Sequence, residues 1–304
     1  MYDIVIIGGG AAGMTAALYA LRANKTVMVL EKNAFGGQIA YSPKVENFPG
    51  TDSISGNDFA DRLFNQINSL GAEFDIVTVT GIRDHAAHKT IITEEGVIYE
   101  GRSVIIATGA RHRQLGVPGE REFAGKGICY CAVCDGDFYR GKKVAMVGGG
   151  NTALQEAIFL ADICEEVTVI QNLDCFTGEE RLVRALGSRK NVKIVLGAQV
   201  ANIEGADGEL RCIHVRRDSQ PEDVSISIDG LFVAIGLEPE NECFTDVAQL
   251  DTYGYISSDE KCLTRTPGVF VAGDCRAKGI RQLTTAVSDG TVAAVAACGF
   301  LACS

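Results

Sequence analysis

Short apolar runs alternate with glycine turns and helical patterns along the chain. Residues 4–7 form an apolar run, a glycine turn and a helical pattern follow, and a second apolar run covers 27–30. This order predicts a strand–helix–strand unit. The same pattern starts again at residue 143, with Gly148 lying 140 residues after Gly8. The chain is therefore predicted to be an α/β protein with two Rossmann-like nucleotide-binding units.

The first glycine turn reads Gly8-x-Gly10-x-x-Gly13, and Glu31 ends the second strand 23 residues after Gly8. Glycines at this spacing allow a tight turn, the approach of a pyrophosphate, and close packing of the helix on the strand. A carboxylate about 20 residues further on suits a ribose hydroxyl. We therefore expect a bound dinucleotide here; the alternative is a purely structural glycine turn.

The second glycine turn, Gly148–Ala153, has alanine in place of the third glycine. Gln171 stands where Glu31 stands in the first unit, and residues 171–174 hold neither a carboxylate at the strand end nor an arginine for a 2′-phosphate. A nucleotide is expected here, but the position that selects the ribose is blank. The alternative is a nucleotide domain kept as a scaffold.

Further strands and linkers complete the predicted layout. The predicted strands are 91–93, 97–99, 103–107, 231–236 and 269–273, and the predicted linkers are 115–119 and 241–246. If the last strand belongs to the first unit, the second domain is inserted into the first. The apolar pattern alone leaves this open.

Composition narrows the function. A length of 304 residues suggests about two domains. With 28 basic and 39 acidic residues the net charge is −11, which argues against binding to a nucleic-acid backbone. Eleven cysteines at irregular spacing do not resemble the disulfide framework of a secreted protein. We therefore expect a cytoplasmic protein that does not bind nucleic acid.

Two uncharged stretches raise the question of a membrane span. Ile4–Leu21 has the length of a span but contains four glycines, so a buried strand, a turn and a helix explain it better. Residues 290–304 are too few to cross a bilayer, and we predict a terminal helix packed on the rest of the protein. No membrane partner is expected.

Three cysteines cluster before the second glycine turn. Cys131 and Cys134 are three residues apart, and Asp135 follows directly. Two cysteines at this spacing can close a small disulfide, and an adjacent carboxylate can relay a proton to or from a thiolate. Cys129 would complete a set of three metal ligands, but no second Cys/His pair with zinc spacing lies nearby. We therefore favour a redox pair over ordinary buried cysteines, and predict no metal site.

The chain resembles the low-molecular-weight thioredoxin reductases over essentially its whole length. The motifs that carry the resemblance are Gly8–Gly13, Gly36–Gln38, Val45–Gly50, Ala107–Ala110, Cys131–Gly136, Gly148–Ala153, Ala272–Asp274, Arg281–Gln282, Thr285–Ala286 and Asp289–Gly290. The resemblance implies an FAD domain built from both chain ends, 1–116 and 246–304, with a pyridine-nucleotide and CxxC domain, 117–245, inserted between them. It also implies a homodimer.

The resemblance assigns roles to single residues as well. Cys131 and Cys134 would be the redox pair, with Cys134 facing the flavin, Cys131 attacking the partner disulfide, and Asp135 acting as acid and base. The cofactor-binding residues would be Gly8, Gly10, Gly13, Glu31, Gly37, Gln38, Asn47, Thr108, Gly109, Gly273, Asp274, Arg281, Gln282 and Leu283 for FAD, and Gly148, Gly150, Asn151 and Thr152 for the pyridine nucleotide.

One departure from the family pattern concerns the electron donor. Family members that use NADPH carry a His-Arg-Arg-Asp-x-x-Arg run after the strand of the second unit, and residues 171–177 lack all three arginines. Each charge-assisted phosphate contact contributes about 1.5–3 kcal/mol. Unless Arg181 or Arg184 reaches in from the next helix, a strong preference for NADPH is therefore expected to be lost. NADH, ferredoxin and NADPH all stay open as donors.

The resemblance thus implies an FAD-dependent thioredoxin-disulfide reductase. Electrons would pass from the donor through the flavin to Cys131–Cys134 and on to thioredoxin or a thioredoxin-like protein. The family's domain rotation would place hinges at 115–119 and near Asn241. Two alternatives stay open: a ferredoxin-dependent reductase with a vestigial nucleotide site, and a dithiol oxidase on the same scaffold that passes electrons to oxygen.

Overall fold

The computed structural model describes residues 1–42, 45–206, 208–217 and 222–303. The chain forms two compact units. One consists of Met1–Arg111 and Glu238–Ser304, and the other consists of His112–Leu237. The second unit is therefore inserted into the first, as the resemblance implied.

Both units mix strands and helices. The strands are β1 Tyr2–Ile7, β2 Val27–Glu31, β3 Glu73–Ile76, β4 Val79–Asp84, β5 Lys89–Thr93, β6 Ile98–Ile106, β7 Ala110–His112, β8 Ile128–Cys129, β9 Lys143–Val147, β10 Glu166–Ile170, β11 Val192–Val195, β12 Ala198–Ala206, β13 Glu209–Arg217, β14 Val224–Ser227, β15 Gly230–Val233, β16 Leu237–Pro239 and β17 Val269–Val271. The α-helices are α1 Ala11–Arg22, α2 Gly56–Ser69, α3 Glu120–Phe123, α4 Ala132–Asp135, α5 Asn151–Ile163, α6 Glu180–Gly187 and α7 Leu283–Cys303.

The first unit is built on a seven-stranded sheet in the order β3-β2-β1-β6-β5-β4, with β17 also paired to β6. Strands β2, β1, β6 and β17 are parallel, and β4 and β5 are antiparallel. Alternate residues of β1 enter two different hydrophobic cores, one of which contains the inner faces of α1 and α7. A parallel strand that is covered on both faces has to be apolar at every covered position, and this explains the apolar run at residues 4–7.

The second unit contains a five-stranded parallel sheet in the order β11-β10-β9-β15-β8, and a separate antiparallel sheet of β12, β13 and β14. The order β11-β10-β9-β15 repeats the order β3-β2-β1-β6 of the first unit. Helix α5 follows β9 just as α1 follows β1. The internal repeat and the fold of two Rossmann-like units predicted from the sequence are therefore confirmed.

The chain leaves the first unit earlier than expected, after residue 111 rather than after 116. The buried Glu120 carboxylate explains this, because it accepts the N–H groups of Leu115 and Gly116 at 2.8 and 2.7 Å. The segment 115–119, expected as a hinge, is therefore bonded to the second unit.

The chain also returns to the first unit earlier, after residue 237 rather than after 245. Asn241 is fully buried, and its amide donates to the carbonyls of Gly254 and Cys275 at 2.9 Å each. These two bonds tie the expected return linker to the first unit.

Strand β6 differs from the two separate strands predicted at 97–99 and 103–107, because it runs without a break from Ile98 to Ile106. Gly101 lies in the middle of this strand, and a glycine inside a strand often marks the close approach of another backbone. A Cβ atom at Gly101 would lie 2.8 Å from the Val5 side chain, so the glycine allows β1 and β6 to approach closely.

Helix α7 is longer than the uncharged stretch from which it was predicted. It has 21 residues and contains Asp289, and its mean hydropathy of 1.6 makes it the one helix in the described residues that is long and apolar enough to cross a membrane. Length therefore does not exclude a span, contrary to the prediction. The helix packs in the core against α1, and a Cβ atom at Gly290 would lie 2.2 Å from the Ala12 carbonyl oxygen.

Candidate redox and dinucleotide sites

The first glycine turn depends on two close backbone approaches. Gly8 has a φ of +110°, and a Cβ atom there would lie 2.3 Å from the Ala107 oxygen. A Cβ atom at Gly13 would lie 1.9 Å from the oxygen of Gly8. Gly10 is the N-cap residue of α1, and no side chain caps this end of the helix. The first N–H groups of α1 therefore have no capping side chain, and such groups suit an anion such as a pyrophosphate.

Glu31 lies beside this turn, as the spacing predicted. One oxygen of its carboxylate accepts the Gly9 N–H at 2.7 Å, and the other accepts the Asn33 N–H at 3.0 Å. These bonds hold the carboxylate at the carboxyl end of β2. A half-exposed carboxylate in this place suits a ribose hydroxyl.

The loop after β2 lies directly on the glycine turn. A Cβ atom at Gly37 would lie 3.1 Å from the Cα of Gly10, and Gly36 donates its N–H to the Gly9 carbonyl at 2.9 Å. The Gln38 amide hydrogen-bonds the Ala110 carbonyl. This loop therefore joins the turn to the segment that follows β6.

Asn47 and Thr108, two further residues predicted to bind the cofactor, hydrogen-bond to other parts of the first unit. Asn47 donates to the Gln282 side chain at 3.3 Å, so both ends of the chain meet here. The Thr108 hydroxyl donates to Asn241 at 3.2 Å. Gly109 has a φ of +70° and open space where a Cβ atom would point.

Gly273 and Asp274 follow β17 and contact a cluster of buried charged residues. The Gly273 N–H donates to Asp289 at 3.1 Å, and Asp289 accepts both N–H groups of a bidentate Arg276 at 2.9 and 2.8 Å. The Lys278 ammonium lies 3.1 Å from Asp289 and 2.9 Å from Asp274. Burial opposes ionisation of Asp289, but the contacts with Arg276 and Lys278 outweigh it and hold the pKa below its ordinary value.

The Asp274 carboxylate is held by its ion pair with Lys278. Its Oδ1 is buried and accepts no hydrogen bond from any described residue, although the Lys278 ammonium lies in ion-pair range. The Arg281 side chain stacks on the Tyr255 ring at 3.9 Å and donates to the Asp274 carbonyl at 3.4 Å. Leu283 begins α7 directly after Gln282.

These residues fit FAD. The turn offers uncapped N–H groups for a pyrophosphate, and Glu31 offers a carboxylate for a ribose hydroxyl. Asp274 offers a carboxylate that is ion-paired with Lys278. FAD would be held by the first-unit residues that the resemblance named.

The second glycine turn has the same backbone as the first. Gly148 has a φ of +137°, and a Cβ atom there would lie 2.3 Å from the Ala234 oxygen. Gly150 is the N-cap residue of α5, and no side chain caps this end of the helix. The Asn151 side chain accepts the Glu179 N–H at 2.7 Å, and Thr152 is exposed. The turn is therefore intact as a backbone structure.

The strand end beside this turn differs from that of the first unit. Gln171 is buried and donates to the Cys175 carbonyl at 3.4 Å, within its own segment. Its amide would lie 2.5 Å from a Cβ atom at Gly149. Glu31 and Gln171 thus occupy equivalent positions in the two units. Only Glu31 is a charged acceptor for a ribose hydroxyl.

The arginines that follow are paired with local carboxylates. Arg181 lies 2.6 Å from Glu179 and Arg184 lies 2.5 Å from Glu180. Arg189 lies 2.5 Å from Asp162. Each of these three arginines therefore already has a carboxylate partner.

A disulfide joins Cys131 and Cys134, whose Cα atoms are 5.3 Å apart. Cys131 precedes α4, and its sulfur accepts the Cys134 N–H at 3.2 Å. A hydrogen bond to sulfur stabilises a thiolate relative to a thiol. The turn therefore favours the reactive form of Cys131 once the disulfide is reduced.

Asp135 directly follows Cys134 in the chain. Burial raises the pKa of its carboxyl to about 6, and a hydrogen bond with the Cys129 thiol opposes the rise. Its Oδ1 is buried and receives no hydrogen bond from the described residues. An acid with a pKa near neutrality suits proton transfer at physiological pH.

Cys129 is a buried thiol rather than a third reactive cysteine. Burial, together with the charge of Asp135, raises its pKa to about 12. Its sulfur lies 3.4 Å from the Tyr139 hydroxyl. In the described residues no group of three or more His, Cys, Asp or Glu side chains has the geometry of a metal site.

The sequence reasoning missed several charged residues of these sites. Asp289 was noted only as part of a motif, and its partners Arg276 and Lys278 were not singled out. Glu156 on α5 was also missed, and burial raises its pKa to about 7. The signal for Glu156 is its helical spacing from Leu160 and Ile163, which are both apolar.

One unit contains a dinucleotide-binding turn with a carboxylate for a ribose hydroxyl. The other contains a disulfide followed by an aspartate. Together these sites define a flavin-dependent disulfide oxidoreductase. The model of the pyridine nucleotide-disulphide oxidoreductase family matches residues 2–290. The chain belongs to this family and, within it, to the low-molecular-weight thioredoxin reductases, whose members use FAD and NAD(P)H.

Individual relatives support this assignment. The chain is 44% identical over 295 residues to the "34.2 kDa protein in rubredoxin operon" of Clostridium pasteurianum, and the match covers 97% of this chain and 96% of that protein. It is 37% identical to the thioredoxin reductase of Listeria innocua, over 96% of this chain and 92% of that one. The solved thioredoxin reductase of Streptococcus pyogenes superposes with a TM-score of 0.94 at 36% identity and covers 100% of this chain and 99% of its own.

Proposed function

We propose that the protein reduces the disulfide of thioredoxin or a thioredoxin-like protein. The observation that carries the proposal is the Cys131–Cys134 disulfide, which Asp135 follows in the chain, in a protein similar to thioredoxin reductases over nearly its whole length. Bound FAD would supply the electron pair that reduces this disulfide.

The reaction with the partner is thiol–disulfide exchange. The Cys131 thiolate attacks one partner sulfur, a mixed disulfide forms, and the other partner sulfur leaves as a thiolate. Cys134 then attacks the Cys131 sulfur, which releases the partner as a dithiol and restores the disulfide. Asp135 takes the proton from the attacking thiol or gives one to the leaving thiolate.

We propose further that NADPH is not the preferred donor. Residues 171–177 hold no cation for a 2′-phosphate, and Arg181, Arg184 and Arg189 already contact carboxylates. A 2′-phosphate carries nearly two negative charges and would lie near Asp174 without compensation. NADH, which lacks this phosphate, is the favoured nucleotide.

Ferredoxin is a second candidate donor. The observation that favours it is the strand end at Gln171, where a buried amide bonded within its own segment replaces the ribose carboxylate. If this turn binds no nucleotide, electrons have to reach the flavin from a protein carrier. The net charge of −11 weakens the attraction of an acidic ferredoxin, so such docking needs local basic residues.

One experiment separates these donors. The holoenzyme is mixed anaerobically with NADPH, NADH and reduced ferredoxin in turn, and flavin bleaching is followed. We expect NADH to bleach the flavin at least as fast as NADPH. Bleaching by ferredoxin alone supports the protein donor. Peroxide production from a small dithiol, without reduction of any thioredoxin disulfide, would instead support a dithiol oxidase and refute the proposed reductase.

The assembly and location are part of the same proposal. We propose a cytoplasmic homodimer. Nine of the eleven cysteines are free thiols, which suits a reducing compartment. Helix α7 leaves Val295 60% exposed, which suits a contact with a second copy. Light scattering of the purified protein tests the dimer.

A further inference from the structure

Helix α7 is joined to the turn that follows β17 by a cluster of buried charges. Asp289 on α7 is buried, and its carboxylate accepts the Gly273 N–H at 3.1 Å. It also accepts two N–H groups of the buried Arg276 guanidinium at 2.9 and 2.8 Å, one on each oxygen. Because a bidentate pair of this kind is strong and directional, the Asp289 carboxylate is fixed in place.

Lys278 connects this fixed carboxylate to a second one. The Lys278 side chain is only 8% exposed, and its ammonium lies 3.1 Å from Asp289 Oδ2 and 2.9 Å from Asp274 Oδ1. Asp274 Oδ1 is buried, whereas the Asp274 side chain as a whole is 33% exposed. The oxygen that faces Lys278 is therefore the inner one, and the exposed part of the Asp274 side chain comprises its other atoms.

The cluster adjoins the first glycine turn. A Cβ atom at Gly273, the residue before Asp274, would lie 2.8 Å from the Ala12 side chain. A Cβ atom at Gly290, the residue after Asp289, would lie 2.2 Å from the Ala12 carbonyl oxygen. Ala12 belongs to the first turn of α1, whose N-terminal N–H groups suit the pyrophosphate of FAD. Asp274 therefore lies beside the dinucleotide site, within the same unit.

We propose that Lys278 is a positioning residue for the cofactor: anchored on Asp289, it holds the Asp274 carboxylate in the orientation that accepts a hydroxyl of FAD. A carboxylate accepts hydroxyl hydrogens and repels phosphate oxygens, so a hydroxyl is the part of FAD that suits Asp274. A side chain that is ordered before binding costs FAD less free energy than one that FAD has to order itself. The inference rests on the proposed function only through the bound FAD, and neither the partner nor the electron donor enters it.

The test measures how tightly the full-length protein holds FAD. The holoenzyme is diluted in steps, and the fluorescence of the released flavin gives the dissociation constant. Asp274→Asn should raise this constant about tenfold, because a neutral amide replaces a charged acceptor. Lys278→Met keeps a straight side chain without the charge, and should raise the constant by a similar factor while Asp274 is present. A dissociation constant equal to that of the wild type in Lys278→Met would overturn the proposal.

The double variant distinguishes positioning from direct contact. If Lys278 acts through Asp274, Lys278→Met should weaken FAD binding by no more than about twofold in the Asp274→Asn protein. If the ammonium contacts FAD itself, the two single losses should multiply to about a hundredfold. That outcome would refute the positioning role.

A second buried lysine of the same unit provides the matched control. The Lys89 side chain is 1% exposed, and its ammonium lies 2.9 Å from Asp84 Oδ1. Lys89 pairs with Gly101 near the start of β6, whereas Ala107, beyond the other end of that strand, contacts the glycine turn. Lys89→Met should therefore lower the melting temperature but leave the FAD dissociation constant unchanged. A rise as large as that in Lys278→Met would indicate a general loss of stability and would contradict the proposal.

Folding and turnover are measured separately from FAD binding. Circular dichroism shows whether each variant is folded. If Lys278→Met does not fold, Lys278→Gln, which keeps a neutral donor, takes its place in the same comparison, and an unchanged dissociation constant again overturns the proposal. A wild type that holds FAD but does not reduce thioredoxin would refute the proposed function alone. Wild-type FAD affinity in Lys278→Met, together with normal thioredoxin turnover, would overturn this inference alone.

Discussion

The two glycine turns of the molecule share a backbone and differ in the side chains beside it. Gly8 and Gly148 both have positive φ values, and a Cβ atom at either position would lie 2.3 Å from the carbonyl oxygen of a residue that follows a neighbouring strand. Beside the first turn, Glu31 accepts a backbone N–H of the turn; beside the second, Gln171 turns to its own segment. Packing preserves a backbone conformation even where the side chain that selects a ligand has changed.

Substitutions in the disulfide should have the largest effect. They test whether cofactor binding belongs to the first unit and the reaction with the partner to the second. Cys131→Ser and Cys134→Ser should each abolish reduction of a thioredoxin disulfide, since exchange needs both sulfurs. The bound FAD should be unchanged, because its residues lie in the first unit. Absorbance spectra and turnover assays measure both.

Cys129→Ser is the matched control for these variants, because Cys129 is a buried neutral thiol outside the disulfide. It should retain activity and FAD. Loss of activity in this variant alone would point to a different disulfide pairing.

Asp135→Asn should have the next largest effect, and should slow turnover by about 10²-fold if the carboxyl transfers the proton. The wild-type rate should fall as the pH drops through about 6, where Asp135 becomes protonated, and the variant should lack this inflection. Asp137→Asn, at an exposed position two residues away, should keep it. An inflection near pH 6 that persists in Asp135→Asn would remove Asp135 from the mechanism.

The same variant should be more stable than the wild type above pH 6. The Asp135 pKa is raised from 3.8 to about 6, so the folded protein binds the proton more tightly than the unfolded chain. Stability from this group is therefore present at low pH and is lost as the pH rises through this range. Melting temperatures at pH 5 and at pH 7 would check the sign.

The third glycine position allows a direct exchange between the two turns. Gly13→Ala should destabilise the first unit by about 1–3 kcal/mol and reduce FAD binding, since the new Cβ atom would lie 1.9 Å from the Gly8 oxygen. Ala153→Gly, the reverse change, should cost only about 0.5–1 kcal/mol of helix stability. Chemical denaturation measures both, and a loss in Gly13→Ala no larger than that in Ala153→Gly would contradict the close contact at Gly13.

The smallest effect should come from rebuilding a phosphate site at the second turn. Asn172→Arg with Leu173→Arg should raise kcat/KM for NADPH relative to NADH by about tenfold, or about 1.4 kcal/mol. Arg181→Gln should leave that ratio unchanged, because Arg181 already contacts Glu179. A wild-type preference for NADPH above tenfold would contradict this interpretation of the specificity position.

The sequence was sufficient where function depends on spacing along the chain. The glycines of the first turn, Glu31 and the cysteine pair all follow from short-range patterns that the fold requires. The charge cluster around Asp289 could not be predicted, because Arg276 reaches it only when α7 folds back along α1. Asp289 lies just before the uncharged stretch 290–304 and belongs to α7, where it pairs with Arg276.

Glu156 shows a different limit. A glutamate in a helix is usually solvated, and the sequence does not reveal that the turn at 131–136 covers this position. Its apolar neighbours at helical spacing were visible, but their common partner was not. Tertiary contact alone turns this acid into a buried group.

The insertion of one unit into the other has a consequence for synthesis on the ribosome. The second unit is continuous in the chain, so it is complete once Leu237 has been made. The first unit has to wait for β17 and α7, which supply a strand beside β6 and part of its main core. Because domains fold as units during synthesis, the redox domain should mature on the nascent chain while the flavin domain stays incomplete until the last residues emerge.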